Sequence, residues 1–186
     1  GRGSVREAIK VLEATGTVER RGKAVLVSEK TPAMKLALDI ADTIDDIRNV
    51  METRNIMEIE SCRLAAKRAG EQDIEKLSEI ISRPATDYES FSSCDRAFHR
   101  TIMEASHNPV LLQVYDQIAD LIFRTEDLYR GKDAISREEQ QQTIRNTKES
   151  HQDILDAIRS RDPQRAVSCA KKHLQAASAA LIAQVQ

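Results

Sequence analysis

The stretch His151-Gln-Asp-Ile-Leu-Asp-Ala-Ile-Arg-Ser-Arg-Asp162-Pro163-Gln-Arg-Ala-Val-Ser-Cys-Ala-Lys-Lys-His173 decides how the chain must fold. It reads as parts of two helices, 136–160 and 163–184, with Asp162-Pro163 between them as a turn that places proline at a helix start. Along one unbroken helix the two histidines would stand roughly 33 Å apart. Each, however, lies eleven residues from Asp162. Folding the helices into an antiparallel hairpin therefore brings the two histidines level.

Composition extends this reading to the rest of the chain. Its 186 residues allow a small module and a larger one that buries its own core. Aromatic residues make up only 3%, tryptophan is absent and there are four prolines, which favours helices packed through Leu, Ile, Val and Ala over an all-β fold. The segments 34–46, 49–69, 71–82, 86–106 and 109–130 read as further helices. Gly70, Arg83-Pro84 and His107-Asn108-Pro109 supply the breaks, with His107 a turn residue. Short connections imply a mainly α fold, an antiparallel bundle of six to seven helices.

No apolar stretch approaches the roughly 20 residues a membrane span needs, and the start of the chain lacks the layout of a signal peptide. A cytoplasmic protein with no membrane partner is expected. Cys62, Cys94 and Cys169 form no CxxC pair, so neither a disulfide framework nor a thiolate metal cluster is indicated.

Charge is uneven. Residues 1–30 carry seven Lys or Arg against four Glu, while the whole chain has a formal charge of -2. A basic head on an acidic body points to a polyanion as partner of the head. Within that head, Val5, Ala8, Ile9 and Leu12 recur at helical spacing, with Ser4 and Glu7 placed as a capping box. Two β-prone runs then flank Gly22-Lys23 and read as a hairpin with a basic tip. A short helix followed by a basic hairpin is the second half of a winged helix-turn-helix. Residues 1–28 thus form a partial winged module, 29–33 a linker, and 34–186 the helical domain.

Four residues in that domain carry candidate chemistry. Asp95 and His99 are four apart and project from one helix face. If they face the bundle interior together with His151 and His173, three imidazoles and one carboxylate converge. Such a set suits zinc or nickel, with manganese or iron as further candidates, and gives no preference for copper(I) or iron–sulfur clusters. Each histidine taken singly reads as an ordinary helix residue; the register of three together favours a site.

The sequence resembles the GntR-type transcriptional regulators, in the FadR-like branch whose effector domain is called FCD. Residues Gly1-Arg-Gly-Ser-Val-Arg-Glu-Ala-Ile-Lys-Val-Leu-Glu-Ala-Thr-Gly-Thr-Val-Glu-Arg-Arg-Gly-Lys23 are similar to that family's recognition helix and wing. The body resembles FCD through Glu52-Thr-Arg54, Leu64-Ala-Ala-Lys-Arg68, Asp95-x-x-Phe-His99, Ala105-Ser-His-Asn-Pro109, His151-x-x-Ile-Leu-x-Ala-Ile158 and His173. The resemblance implies that Asp95, His99, His151 and His173 are metal positions and that the ion holds a small acidic effector by its carboxylate. It also implies DNA contacts at Arg2 and Arg6 and on the wing around Gly22, where arginine can grip guanine or phosphate. The chain departs from the family by starting inside the helix-turn-helix, and Gly1 and Gly3 stand where Ser and Thr are frequent.

Further residues are candidates for the effector. Thr147 lies four before His151 and shares its helix face. Arg54 reads either as a second grip on a carboxylate, which the resemblance supports, or as the partner of Glu58 four residues on. Arg124 and Asn146 are weaker candidates of the same kind. The expected function is a ligand-responsive regulator: a homodimer that binds operator DNA and responds to a small carboxylate metabolite. The rival readings are a metal-dependent hydrolase or oxygenase in a helical bundle, and a bundle without metal that acts through protein contacts.

Overall fold

The computed structural model describes residues 2–14, 18–22, 24–27, 44–130 and 136–183, which fall into two compact units, Gly1–Leu38 and Asp39–Gln186. The expected linker 29–33, and residues 34–43 of the first expected helix of the body, lie outside the described residues.

In the first unit, α1 (Arg2–Ala14) is followed by strands β1 (Val18–Arg21) and β2 (Ala24–Val27). The strands pair antiparallel in a register that sets Val18 against Val27 and Arg21 against Ala24. The turn needs a residue with positive φ, and Gly22 supplies it at 65°. Arg20 Nε donates to Glu13 Oε1 at 2.9 Å and ties β1 to the helix. One expectation is corrected: α1 is already helical at Arg2, so Ser4 lies within the helix and does not cap it.

The second unit contains α2 (Ile44–Arg68), α3 (Glu71–Ser82), α4 (Tyr88–Ala105), α5 (Pro109–Arg130), α6 (Arg137–Arg159) and α7 (Pro163–Ala183). The break expected between residues 46 and 49 does not exist. No glycine or proline interrupts 44–68, and Ile47, Val50, Met51 and Met57 bury one continuous face of α2.

Local chemistry explains the other boundaries. Asp87 caps α4, its carboxylate accepting from the Ser90 backbone N–H at 2.8 Å, and Ser136 caps α6 by accepting from Glu139 N at 3.2 Å. After α4 the chain turns at His107, whose φ is 47°, and Asn108 Oδ1 then accepts from Leu111 N. At the end of α6, Asp162 N donates to Ala157 O at 3.0 Å and Arg161 N to Ile158 O at 3.0 Å, a Schellman closure with Arg161 at φ 57°. Asp162 Oδ1 then accepts from Gln164 N and Arg165 N, so one residue ends the first helix and caps the second.

α2 packs against α4, α5, α6 and α7, and α3 against α4 and α6. Alanines 65, 66, 166 and 170 are buried in one core with Leu77, Phe98, Ile102, Ile154, Leu155 and Ile158. Their small side chains let helices approach closely, which draws α4, α6 and α7 around a common interior. A second core joins Ile47, Met51, Met103, Tyr115 and Ile122.

Candidate metal centre

The interior that α4, α6 and α7 share with α2 is apolar on most sides but polar at one point. Asp95 and His99 come from successive turns of α4, His151 from α6 and His173 from α7, and all four are buried. The hairpin at Asp162-Pro163 sets the His151 and His173 ring centroids 4.7 Å apart. His99 lies 5.2 Å from each of them, centroid to centroid. One ligand atom from each of the four residues falls within 4.8 Å of every other.

The two shortest spacings are those of ligands around one small ion. His173 Nε2 stands 3.3 Å from His99 Nε2, and Asp95 Oδ1 stands 3.4 Å from His151 Nε2 and 3.8 Å from His99 Nε2. Ligands about 2.0–2.2 Å from a tetrahedral ion lie roughly 3.3–3.6 Å from one another. His151 Nε2 provides a second test of fit: it is buried and has no hydrogen-bond partner among the described residues. A buried imidazole nitrogen without a partner is costly, and a cation at this point would satisfy it.

Two polar contacts support the quartet from outside. The Glu58 carboxylate, on α2, lies 2.6 Å from His99 Nδ1 through Oε2 and accepts from Arg54 Nε at 2.8 Å through Oε1. Ser150 Oγ, on α6, lies 2.8 Å from His173 Nδ1. The Phe98 ring stacks on His151 at 3.8 Å between centroids, with 16° between planes.

Burial and charge bias these groups in opposite directions. Burial lowers the His151 pKa well below the ordinary histidine value, reinforced by the neighbouring His99 and His173. For His173, burial and then His99 bring it from 6.5 to about 4. Burial also works against a charged His99, but the Glu58 carboxylate outweighs it and raises that pKa. Glu58 itself is disfavoured by burial, yet Arg54 and His99 lower it from 4.5 to about 2. Two neutral imidazoles with available lone pairs, beside two carboxylates, make a donor set that fits a divalent cation.

The remaining sequence candidates are scattered. Arg54 is buried and paired with Glu58, the second of its two expected readings. Thr147 is half-buried one turn before His151, and its backbone carbonyl accepts from Ser150 Oγ at 2.8 Å. Asn146 is exposed and accepts from Gln142 Nε2. Gly22 sits in the hairpin turn, while Arg2 and Arg6 fall on α1 and Arg124 on α5, their side chains outside the described residues. Sequence reasoning missed Ser150 and Lys148. Lys148, with Phe91 and Cys94, lines a cavity of about 10 Å³ that Asp95 and His151 border. A lysine one turn from Thr147's helix neighbour His151 carries no signal in sequence, since α6 is rich in charged and polar residues throughout.

Among the described residues no helix is long and apolar enough to cross a membrane. Residues 49–176 match the FCD domain family. The transcriptional regulator LutR of Bacillus subtilis is 25% identical over 93% of this chain and 81% of its own length. Among solved structures, GntR of Streptococcus agalactiae superposes with a TM-score of 0.65 at 19% identity, over 96% of this chain and 82% of its own. The Zn2+-bound FCD domain of TM0439 superposes with a TM-score of 0.59 at 24% identity, over 77% of this chain and 96% of its own. These relatives are regulators and not enzymes, which sets aside the hydrolase or oxygenase reading. With a matched domain that spans most of its length, the chain belongs to the FCD domain family, and the curated relatives it resembles are HTH-type transcriptional regulators.

Proposed function

We propose that this regulator binds a divalent transition metal, zinc or nickel, through Asp95, His99, His151 and His173, and uses it to sense a small carboxylate metabolite. The observation that carries the reading is the convergence of four buried ligand atoms within 4.8 Å, one of them an imidazole nitrogen that makes no hydrogen bond among the described residues. Zinc in the FCD domain of TM0439 supports the same choice here. When bound, the ion supplies a Lewis-acidic anchor for a carboxylate oxygen.

The chain's own groups then orient the metabolite. Lys148 borders the small cavity beside Asp95 and His151, where its ammonium can balance a carboxylate. Thr147 is placed to offer a hydroxyl from the same helix, and Arg54, Arg124 and Asn146 remain candidates for further polar contacts. The cavity holds no more than about one water and is walled by α3, α4 and α6, so a metabolite must part these helices to enter. That coupling between site occupancy and helix packing is what a sensor needs.

Residues 1–28 act as recognition helix and wing, and 34–186 as effector and dimerisation domain. Arg2, Arg6 and the turn at Gly22 contact operator DNA in a homodimer acting in the cytoplasm. A thermal-shift screen of small carboxylates with and without zinc or nickel tests the whole reading. Metal should raise the melting temperature, and His151→Ala should abolish that rise. A carboxylate should add to it only when metal is present. Absence of any metal-dependent shift sinks the proposal.

A further inference from the structure

We infer that Ser150 and Glu58 are positioning residues that fix the tautomers of His99 and His173, so that both Nε2 lone pairs aim at one point. This rests on the metal-binding reading above, but its geometry stands independently.

A serine hydroxyl has one proton to donate. Ser150 Oγ lies 2.8 Å from the Thr147 carbonyl oxygen, which can only accept, so the proton of Ser150 goes there. The remaining contact of Ser150 Oγ, 2.8 Å to His173 Nδ1, must then have the ring as donor. His173 therefore carries its proton on Nδ1 and presents Nε2 as a lone pair. For His99 the conclusion comes from the opposite side of the site. An ionised carboxylate only accepts, so Glu58 Oε2, at 2.6 Å, requires a proton on His99 Nδ1. Arg54, bonded to the other Glu58 oxygen, keeps that carboxylate ionised and oriented.

The two assignments meet in the centre. His99 Nε2 and His173 Nε2 face each other at 3.3 Å, each held there by a bond at its far nitrogen. Two lone pairs at that distance repel unless a cation lies between them or beside them. The outer partners thus hold the rings in the one tautomer that can ligate, where a free imidazole would populate both. Glu58 and Ser150 come from different helices, α2 and α6, so the site is braced by elements that supply one ligand between them.

The test uses Ser150→Ala, Ser150→Thr and the unchanged protein. Ser150 is half-buried, whereas Glu58→Gln would leave Arg54 as an uncompensated buried charge and threaten the fold. Nitrogen-15 NMR of the metal-free protein at alkaline pH reports the tautomer of each neutral ring without any metal. His99 and His173 should both be Nδ1-protonated, and Ser150→Ala should shift His173 alone toward a mixture. Zinc titration should then show a loss of about 10–100-fold in affinity for Ser150→Ala, restored by the hydroxyl of Ser150→Thr. A His99 or His173 protonated on Nε2 in the unchanged protein overturns the inference. So does a Ser150→Ala protein with unaltered His173 tautomer, or one that binds zinc as tightly as the unchanged chain. If the unchanged protein binds no metal, the metal reading fails while the tautomers still decide the positioning role.

Discussion

The Phe98 ring lies flat against His151, with centroids 3.8 Å apart and planes 16° from parallel. Phe98 is fully buried and stands next to the ligand His99 in sequence, so α4 supplies two ligands and also braces a third. Phe98→Leu keeps an apolar side chain but removes the stacked face. It should destabilise the metal-free domain by about 1 kcal/mol beyond the cost of lost volume and weaken zinc binding. Urea denaturation with and without zinc checks both effects.

Acid should weaken the metal-free domain before ordinary carboxylates titrate. His173 is lowered from 6.5 to about 4, and His151 in the same direction, so the unfolded chain takes up these protons before the folded one does. Where the unfolded state binds more protons, stability rises with pH; between 6.5 and about 4 it therefore falls as pH falls. His99 runs the other way, since its raised pKa adds stability below 6.5 that is lost as pH rises through the folded value. In the double variant His151→Leu/His173→Leu the acid loss over this window should disappear, as measured by denaturation at a series of pH values.

Protons and metal also compete for the same nitrogens. Zinc affinity should fall as pH drops through the raised pKa of His99, with about one proton displaced per ion, and more steeply once His173 also titrates near 4. Calorimetric titration across that range gives the slope directly, and a flat profile would be evidence that the histidines are not the ligands.

Arg54 and Glu58 form a buried ion pair at 2.8 Å, each side chain almost wholly excluded from solvent. Removing one partner strands the other, so Arg54→Met should cost about 3–5 kcal/mol. It should also reduce zinc affinity, because Glu58 loses the contact that orients it toward His99. Thermal unfolding of the metal-free and zinc-loaded forms separates the two consequences.

Arg161 sits at φ 57° in the closure between α6 and α7, a conformation glycine adopts without penalty. Arg161 is exposed, so little packing is lost with its side chain. Arg161→Gly should stabilise the domain by about 0.5–1 kcal/mol, the relief of left-handed strain outweighing the added freedom of the unfolded chain. A fall in melting temperature would show that the arginine makes compensating contacts.

Much of this could be read from the chain because its signals are local. Pro109, Ser136 and Pro163 mark helix starts that the structure keeps within a residue, since caps and proline act through neighbouring backbone groups. The hairpin register that levels His151 with His173 follows from the position of Asp162 alone. Where the local signal is absent the reading failed: nothing near Arg48 could show that α2 runs unbroken from Ile44, because its continuity is enforced by the face it buries.

The partners of the ligands belong to a different class of information. Ser150 meets His173 across two helices, and Glu58 meets His99 from a helix two elements earlier, so no spacing in the chain announces either contact. By itself the sequence determined the helices from α3 to α7, the turn between α6 and α7, and the four residues that could share an ion. Only the tertiary structure decided which imidazole nitrogens face the centre and which are held from behind. The physical reason is that helix periodicity is a property of neighbouring residues, whereas the rotation of each helix about its axis is set by side chains packing across the core.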